Sequence, residues 1–176
     1  MPILRPLCLT AALLSLALPQ YGFATSGPFD SHRDAEQDLL SAEKQAAAEH
    51  KNILLDFGGN WCPSCVALDQ YLQEDPRLMA RLEKGYVVVL VDVGVWSNKP
   101  TKAVMQRYPK FKGVPHLLIL APDGRLLHDA SRDPIATDPK RNVYDYEAVA
   151  ALLDKWAPDH AKITAPPRQL TSALEH

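Results

Sequence analysis

Two cysteines three residues apart lie where a predicted strand meets a predicted helix, in the segment Trp61-Cys62-Pro63-Ser64-Cys65. The apolar run from Ile53 to Phe57 before them is typical of a buried strand, and the residues from Val66 to Leu72 favour a helix. Cys62 therefore falls at a helix N-terminus, whose partial positive charge stabilises a thiolate relative to a thiol. Because the thiolate is the nucleophile in disulfide exchange, the pair indicates redox chemistry.

Other uses of the cysteine pair have weaker support. A structural disulfide across so short a loop constrains the unfolded chain little and adds little stability. A zinc site usually needs four ligands, often from two such pairs, and only one pair is present. Haem attachment needs a histidine directly after the second cysteine, where this chain has Val66. We expect no cofactor and no bound metal, with a Cu(I) site formed by Cys62, Cys65 and His116 as the rival hypothesis, since soft thiolates favour that ion.

The first 24 residues have the pattern of a secretory signal peptide. Arg5 supplies the charged region, the stretch from Leu7 to Leu18 is apolar, and Gly22-Phe23-Ala24 is a small-x-small cleavage site. The apolar run of about a dozen residues is shorter than the ~20 that a membrane-spanning helix needs. We therefore expect cleavage after residue 24, no stable membrane anchor afterwards, and a secreted, periplasmic protein.

Cleavage would also remove Cys8 and leave Cys62 and Cys65 as the only cysteines, in an oxidising compartment. Residues 25–160 then form one domain, and residues 161–176, with two adjacent prolines and few large apolar side chains, form a flexible tail. Removal of Arg5 reduces the 19 basic residues to 18, against 21 acidic residues. Because the chain has no basic stripe or arginine-rich run, nucleic acid and anionic membranes are poor candidate partners.

The N-terminal half of the mature chain predicts a helix and a βαβ unit. A capping arrangement at Ser31 and Asp34 precedes a helix. One face of that helix is apolar and consists of Ala35, Leu39, Ala42 and Ala46. The run from Tyr86 to Asp92 is apolar without alternation, which is typical of a central strand covered on both faces. The two short helices between the strands complete a βαβ unit with parallel strands.

The C-terminal half predicts a hairpin, a loop and a helix. Strands at His116–Leu120 and Arg125–His128 are joined by Pro122-Asp123-Gly124, which supplies turn chemistry. The segment from Asp129 to Asn142 is polar, contains two prolines and lacks apolar periodicity, so we expect a surface loop. A final helix ends before Pro158, and one of its faces consists of Tyr146, Val149, Leu153 and Trp156.

This order of elements resembles the thioredoxin superfamily over residues 34–156. The features that carry the resemblance are the strand before the cysteines, Trp61 beside them, and Gly113-Val114-Pro115 before an apolar strand. Among its members, the chain most resembles secreted thioredoxin-like proteins and the thiol-reducing domain of transmembrane disulfide reductases. The resemblance implies an α/β, thioredoxin-like fold with a central mixed four-stranded sheet flanked by helices.

The resemblance also implies roles for individual residues. Cys62 would attack a protein disulfide, and Cys65 would resolve the mixed disulfide. Asp56 takes the position of a buried carboxylate that accepts the proton of Cys65; the alternative is that it points outward and caps a neighbouring group. Pro115 matches the family's cis-proline, which leaves the backbone of Val114 free to pair with substrate. Trp61 would offer substrates a flat apolar contact, with ordinary core packing as the alternative.

The implied function is a thiol-disulfide oxidoreductase that acts on protein disulfides through its C-P-S-C motif and is recharged by a dithiol electron-transfer partner. Departures from the family pattern at Gly58-Gly59, Pro63-Ser64 and Val66 affect thiolate stability and hence the direction of electron flow. Neither a histidine between the cysteines nor a nearby lysine is present to stabilise the thiolate strongly, so we expect a reductant. A disulfide oxidase or isomerase and a Cu(I)-handling thiol protein are the alternatives.

Overall fold

The structure is a computed structural model that describes residues 27–94 and 99–161. The predicted signal peptide lies outside the described residues, as do Trp96 and the predicted tail apart from Ala161. Ala161 is buried and ends a short 3-10 turn, Asp159–Ala161, so the packed part of the chain reaches this residue. Across the two described ranges, every helix is too short or too polar to cross a bilayer.

The described residues contain five α-helices and six strands. The α-helices are α1 (Ala35–Glu49), α2 (Pro63–Glu74), α3 (Pro76–Gly85), α4 (Lys99–Gln106) and α5 (Tyr146–Trp156). The strands are β1 (Asn52–Gly58), β2 (Tyr86–Asp92), β3 (His116–Leu120), β4 (Leu126–Asp129), β5 (Ala136–Asp138) and β6 (Val143–Tyr144). The predicted helices and strands are thus confirmed in type and order, with bounds that differ by up to three residues, whereas β5 and β6 were not predicted.

Four strands form a mixed sheet in the order β2-β1-β3-β4. β1 is parallel to β2, which confirms the predicted βαβ unit. β3 is antiparallel to β1 and to β4, and its pairing with β4 confirms the predicted hairpin. The prediction that Tyr86–Asp92 is central is wrong, because β2 lies at the sheet edge and Val88 is 43% exposed. α1 and α3 both contact β2, so its continuous apolar sequence reflects partial cover by two helices, and the central strands are β1 and β3.

The two faces of the sheet pack into separate apolar clusters, because successive side chains of a strand point to opposite faces. Ile53, Leu55 and Phe57 of β1 pack in the cluster that contains the buried face of α1. Leu54 packs in the cluster formed with α2, α3 and α5. Asp56 has the same parity as Leu54, so its carboxylate lies on the side of the sheet that α2 covers.

The first helix has the predicted buried face and a simpler cap than predicted. Ala35, Leu39, Ala42 and Ala46 are buried, which confirms the apolar face. The N-cap is Asp34 alone, whose carboxylate accepts hydrogen bonds from the backbone N–H groups of Glu36 and Gln37. Ser31 takes no part in the cap, because the carboxylate already lies within reach of the first helical N–H groups.

The segment predicted to be a surface loop, residues 129–142, contains regular structure. A 3-10 turn spans Ala130–Arg132, and β5 pairs with β6 in a two-stranded antiparallel sheet. In that sheet Ala136 lies opposite Tyr144, and Asp138 lies opposite Val143. The prediction was wrong here because strands of three and two residues are too short to show an alternating pattern.

Candidate active site

Cys62 and Cys65 form a disulfide across the first turn of α2, with Cα atoms 5.3 Å apart. Cys62 is the N-cap residue, and its sulfur accepts a hydrogen bond of 3.2 Å from the backbone N–H of Cys65. Pro63 occupies the first helical position, where no N–H is needed and its fixed φ favours a helix. Cys65 is 0% exposed and Cys62 is 5% exposed, so the cysteine at the helix N-terminus is the one with surface open to solvent.

The segment before β3 meets the disulfide. The sulfur of Cys62 lies 4.0 Å from the backbone carbonyl oxygen of Val114, and the Val114–Pro115 peptide bond is cis. Trp61 directly precedes Cys62 in the sequence, and 57% of its surface is exposed. The alternative that Trp61 packs in the core is therefore wrong. The fold therefore brings an exposed aromatic ring and the main chain of Val114 to the same cysteine motif.

Asp56 is buried, with 2% of its surface exposed, so the alternative that it points outward as a cap is wrong. Its Oδ1 atom has no hydrogen-bond partner among the described residues. Burial, and to a lesser degree the nearby charge of Asp69, raises the pKa of Asp56 to about 8. The ionised carboxylate is thus a much stronger base than that of an ordinary aspartate. It lies on the side of the sheet that α2 covers, and Cys65 is a residue of α2.

Asp69 is a site residue that sequence reasoning missed. It follows Cys65 by four positions, so the two share one face of α2. Partial burial raises the pKa of Asp69 as well, opposed by hydrogen bonds of 2.8 and 2.7 Å that Gln73 donates to its two oxygens. A cavity of about 360 Å³ adjoins both Asp56 and Asp69. In the sequence, the one indication of a role for Asp69 is its position four residues after Cys65. That position points to the site only once Asp56 is known to be buried nearby.

Phe29 is a second residue that the sequence did not point to. It is 1% exposed and packs with Cys62 and Cys65. Asn60 holds it in place: the backbone N–H of Phe29 donates to Asn60 Oδ1 at 3.0 Å, and Asn60 Nδ2 donates to the Phe29 carbonyl at 2.6 Å. A Cβ on Gly58 would overlap the Phe29 ring and lie 3.1 Å from the Cβ of Cys65. The unusual Gly58 therefore makes room for the ring beneath the disulfide.

The β5–β6 hairpin also reaches the cysteine motif through Tyr144. The Tyr144 hydroxyl donates a hydrogen bond to the backbone carbonyl of Ser64, and its ring lies 5.4 Å from that of Tyr71. Burial and the charge of Asp56 raise the pKa of Tyr144. Sequence reasoning missed Tyr144 because it assigned the segment that leads to it to a loop.

His116 is packed in the protein interior. Its ring stacks on Phe111 at 4.2 Å between centroids, and its Nε2 atom lies 3.7 Å from Asp129 Oδ1 without a hydrogen bond. Burial lowers the pKa of His116. Within residues 27–94 and 99–161, no three His, Cys, Asp or Glu side chains cluster in a way that suits a metal ion.

A four-stranded sheet with a C-x-x-C disulfide at the N-terminus of a covering helix defines the thioredoxin-like class of proteins. The sequence profile of the thioredoxin-like family matches residues 34–122, and the chain belongs to this family. This confirms the predicted fold and the resemblance on which the predicted site residues rest.

Individual relatives have names that concern disulfide exchange. The chain is 34% identical over 90 residues to thiol:disulfide interchange protein DsbD 1 of Pseudomonas aeruginosa, a match that covers 51% of this chain and 14% of that protein. DsbD of Citrobacter koseri is 29% identical over 129 residues, or 70% of this chain and 22% of that protein. The chain therefore spans less than a quarter of the length of these relatives.

A solved structure that matches the chain is covered nearly along its whole length. The disulphide isomerase from Xylella fastidiosa Temecula1 has a TM-score of 0.63 and 28% sequence identity, and the match covers 75% of this chain and 98% of that one. Thiol-disulfide exchange proteins thus include relatives of this chain in sequence and in structure.

Proposed function

We propose that this protein is a thiol-disulfide oxidoreductase that reduces disulfides in other proteins. The observation that carries the proposal is the Cys62–Cys65 disulfide at the N-terminus of α2, with the more exposed sulfur beside the Val114 carbonyl. A helix N-terminus stabilises the thiolate of its capping cysteine when the disulfide is reduced. Cys62 is therefore the nucleophile of the reduced protein.

The reaction proceeds in two exchanges that transfer two electrons. The Cys62 thiolate attacks one sulfur of a substrate disulfide, which forms a mixed disulfide and releases the other substrate sulfur as a thiolate. The Cys65 thiolate then attacks the sulfur of Cys62, forms the Cys62–Cys65 disulfide, and releases the second substrate sulfur. The substrate is reduced, this protein is oxidised, and a dithiol partner restores the reduced form.

Asp56 accepts the proton of Cys65 before the second exchange. Support comes from its burial on the α2 side of β1 and from its pKa of about 8, which makes the carboxylate a strong base. The cavity that adjoins Asp56 and Asp69 gives the proton a route towards solvent. At neutral pH a minority of Asp56 is ionised, so the second exchange accelerates as the pH rises towards 8.

Substrate proteins bind across Trp61, Val114 and Pro115. The exposed Trp61 ring supplies a flat apolar surface, and the main chain of Val114 pairs with an extended substrate segment. The 4.0 Å separation between Cys62 Sγ and the Val114 carbonyl oxygen supports this placement, because a segment paired there lies over the reacting sulfur.

The protein acts outside the cytoplasm. The signal pattern of residues 1–24 supports this location, and so do relatives named thiol:disulfide interchange proteins. The partner that recharges it is a second dithiol protein of the same compartment.

Trapping of the mixed disulfide tests the proposed roles of the cysteines. Cys65→Ala should accumulate mixed disulfides with substrate proteins, because the resolving thiol is missing, whereas Cys62→Ala should not, because the attacking thiol is missing. Acid quenching followed by non-reducing gels separates the species. Equal trapping by the two variants contradicts the assignment.

The direction of electron flow needs a separate measurement. Potentials in this superfamily run from about −270 mV for reductants to about −120 mV for strong oxidants. Equilibration with glutathione should place this protein near the reducing end, since no histidine or other charged side chain lies between the cysteines to stabilise the thiolate strongly. The similarity to a named disulphide isomerase favours isomerisation as a second candidate, which an oxidising potential together with rescue of scrambled disulfides would support.

A further inference from the structure

Val114 and Pro115 line two neighbouring depressions at the candidate active site. The first, the hairpin groove, has a volume of about 410 Å³ and extends from Ser64 to the β5–β6 hairpin. The second, the basic pocket, has a volume of about 550 Å³ and lies among residues 110–116 and 129–132. Both depressions are lined by Val114 and Pro115, so a segment that pairs with Val114 has one depression on each side.

The hairpin groove suits an uncharged apolar side chain. Leu68 of α2 forms part of its wall, and Pro134 and Ile135 form part of the wall on the hairpin side. The one charged residue among those that line it, Asp133, already has a partner, because its carboxylate lies 2.7 Å from His128 Nε2. A charged substrate side chain placed there would lose its hydration without gaining an ion-pair partner, whereas an aliphatic side chain would bury apolar surface.

The basic pocket has the opposite chemistry. Lys110, Lys112 and Arg132 line it, all three are exposed, and within the described residues none of them forms a salt bridge. The one carboxylate in its lining belongs to Asp129, which accepts hydrogen bonds from the backbone N–H and the hydroxyl of Ser131 and faces His116. The pocket has three cationic side chains and one carboxylate, which is already hydrogen-bonded to Ser131. Its net charge is therefore positive, although the chain as a whole is slightly acidic.

We infer that the protein selects disulfides in segments that carry an aliphatic side chain on one side of the cysteine and an acidic side chain on the other. This inference rests on the proposed function. In an extended segment, side chains two residues before and two residues after the cysteine point to the same face as the cysteine. When the cysteine sulfur reaches Cys62, one of these side chains enters the hairpin groove and the other enters the basic pocket.

Blocked synthetic peptides with one cysteine test the inference. The acidic peptides are Ala-Leu-Ala-Cys-Ala-Glu-Ala and its reverse order, Ala-Glu-Ala-Cys-Ala-Leu-Ala, since the direction of binding is part of the question. Lys replaces Glu in the basic pair, and Asn replaces Leu in a third pair. Each cysteine carries 2-mercaptoethanol in a mixed disulfide, and the reduced protein releases the peptide thiol and 2-mercaptoethanol as it is oxidised to the Cys62–Cys65 disulfide. Acid quenching and chromatography give the second-order rate constants.

In one of the two orders, the acidic peptide should react about tenfold faster than its basic counterpart at low ionic strength, and salt should reduce this ratio. Replacement of Leu by Asn should slow the reaction about tenfold. The double variant Lys110→Glu/Lys112→Glu should abolish or invert the acidic-to-basic ratio. The matched control Lys44→Glu/Lys84→Glu makes the same change of charge at exposed positions on α1 and α3 and should leave the ratio as it is.

Other outcomes would contradict either the proposed function or the inference about substrate selection, and a control substrate separates the two. Bis(2-hydroxyethyl) disulfide, which is small and uncharged, measures the chemistry alone, and failure to reduce it contradicts the proposed function. Reduction of this compound with equal rates for acidic and basic peptides overturns the inference and leaves the proposed function intact. A salt-independent ratio, or a ratio that both double variants change equally, overturns it too. Sedimentation that shows a dimer, with discrimination lost as protein concentration rises, would assign the two depressions to a second copy of this chain.

Discussion

Tyr144 donates a hydrogen bond of 2.9 Å from its hydroxyl group to the backbone carbonyl of Ser64, the residue before the second cysteine. The two residues are 80 positions apart in the sequence. Because the bond joins β6 to the first turn of α2, it fixes the β5–β6 hairpin against the redox motif. A short hairpin that lacks a core of its own thereby becomes one wall of the candidate active site.

Tyr144→Phe removes this hydrogen bond and keeps the ring. We expect the free energy of unfolding of the oxidised protein to fall by about 1 kcal/mol, the usual net value of such a bond. Urea titration measures the change. Tyr71→Phe is the control, because it keeps the ring contact with Tyr144 and leaves the bond to Ser64 in place. Equal losses in the two variants would show that the bond to Ser64 contributes nothing of its own.

The burial of Asp56 makes the stability of the protein depend on pH in a defined direction. Its pKa is about 8 in the folded protein and near 3.8 in an unfolded chain, so between these values the folded state binds more protons. The contribution of Asp56 is therefore most favourable below about pH 4, declines by at most ~1.4 kcal/mol per pH unit as the pH rises, and is constant above about pH 8.

Asp56→Asn should remove this decline, because the amide does not ionise. Urea titrations of the oxidised wild-type and variant proteins between pH 4.5 and pH 8.5 measure it. We expect the variant to gain stability relative to wild type as the pH rises. A difference between the two proteins that stays the same at every pH argues against a raised pKa at Asp56.

Asp56→Asn should also separate the two exchange steps. Formation of the mixed disulfide with a small disulfide should keep its rate, since Cys62 attacks without help from Asp56. Resolution by Cys65 should slow by about 10²-fold, the lower range for general-base catalysis, and most clearly near neutral pH. Stopped-flow measurement resolves the steps. An unchanged rate of resolution leaves Cys65 without a dedicated base and contradicts the role proposed for Asp56.

Asp69→Asn should lower the pKa of Asp56, because the charge of Asp69 is one of the two causes that raise it. The ¹³C shift of the Asp56 carboxyl carbon reports the titration directly. Glu74→Gln is the control, since it removes an equal charge from an exposed position on the same helix. The pH dependence of resolution should move to lower pH in Asp69→Asn alone. If both variants shift the pKa equally, the effect comes from net charge and not from the position of Asp69.

The space beneath the disulfide gives a prediction about packing. Gly58→Ala should destabilise the oxidised protein by about 1 to 3 kcal/mol, because the new methyl group overlaps the Phe29 ring. The same change in a Phe29→Leu background should cost less, since the smaller side chain leaves room. Gly113→Ala is the control, because nothing lies within 4 Å of its added Cβ. Additive losses from Phe29→Leu and Gly58→Ala in urea titrations would show that the two positions do not share this space.

Much of the candidate site was predictable because its residues lie in segments with strong local patterns. The strand before the cysteines, the helix after them and the apolar strand after Pro115 each have a recognisable run or period. Asp56 stood out as a charge within such a run, and its burial follows from its neighbours. Asp69, Phe29 and Tyr144 had no comparable signal, since a polar residue on a helix and aromatic residues outside any periodic pattern occur in every protein.

The sequence alone determined the order of the helices and of the four strands of the main sheet, and the location of the cysteine pair at a helix N-terminus, because both depend on residues within a few positions of one another. The tertiary structure decided which strand lies at the sheet edge, which aromatic ring packs beneath the disulfide, and which two carboxyl groups share a cavity. β2 is as apolar as a central strand, yet its place depends on how β1 pairs with β3 more than sixty residues later. Such pairings depend on the whole core, because burial and desolvation are set by residues far apart in the chain, which no local pattern records.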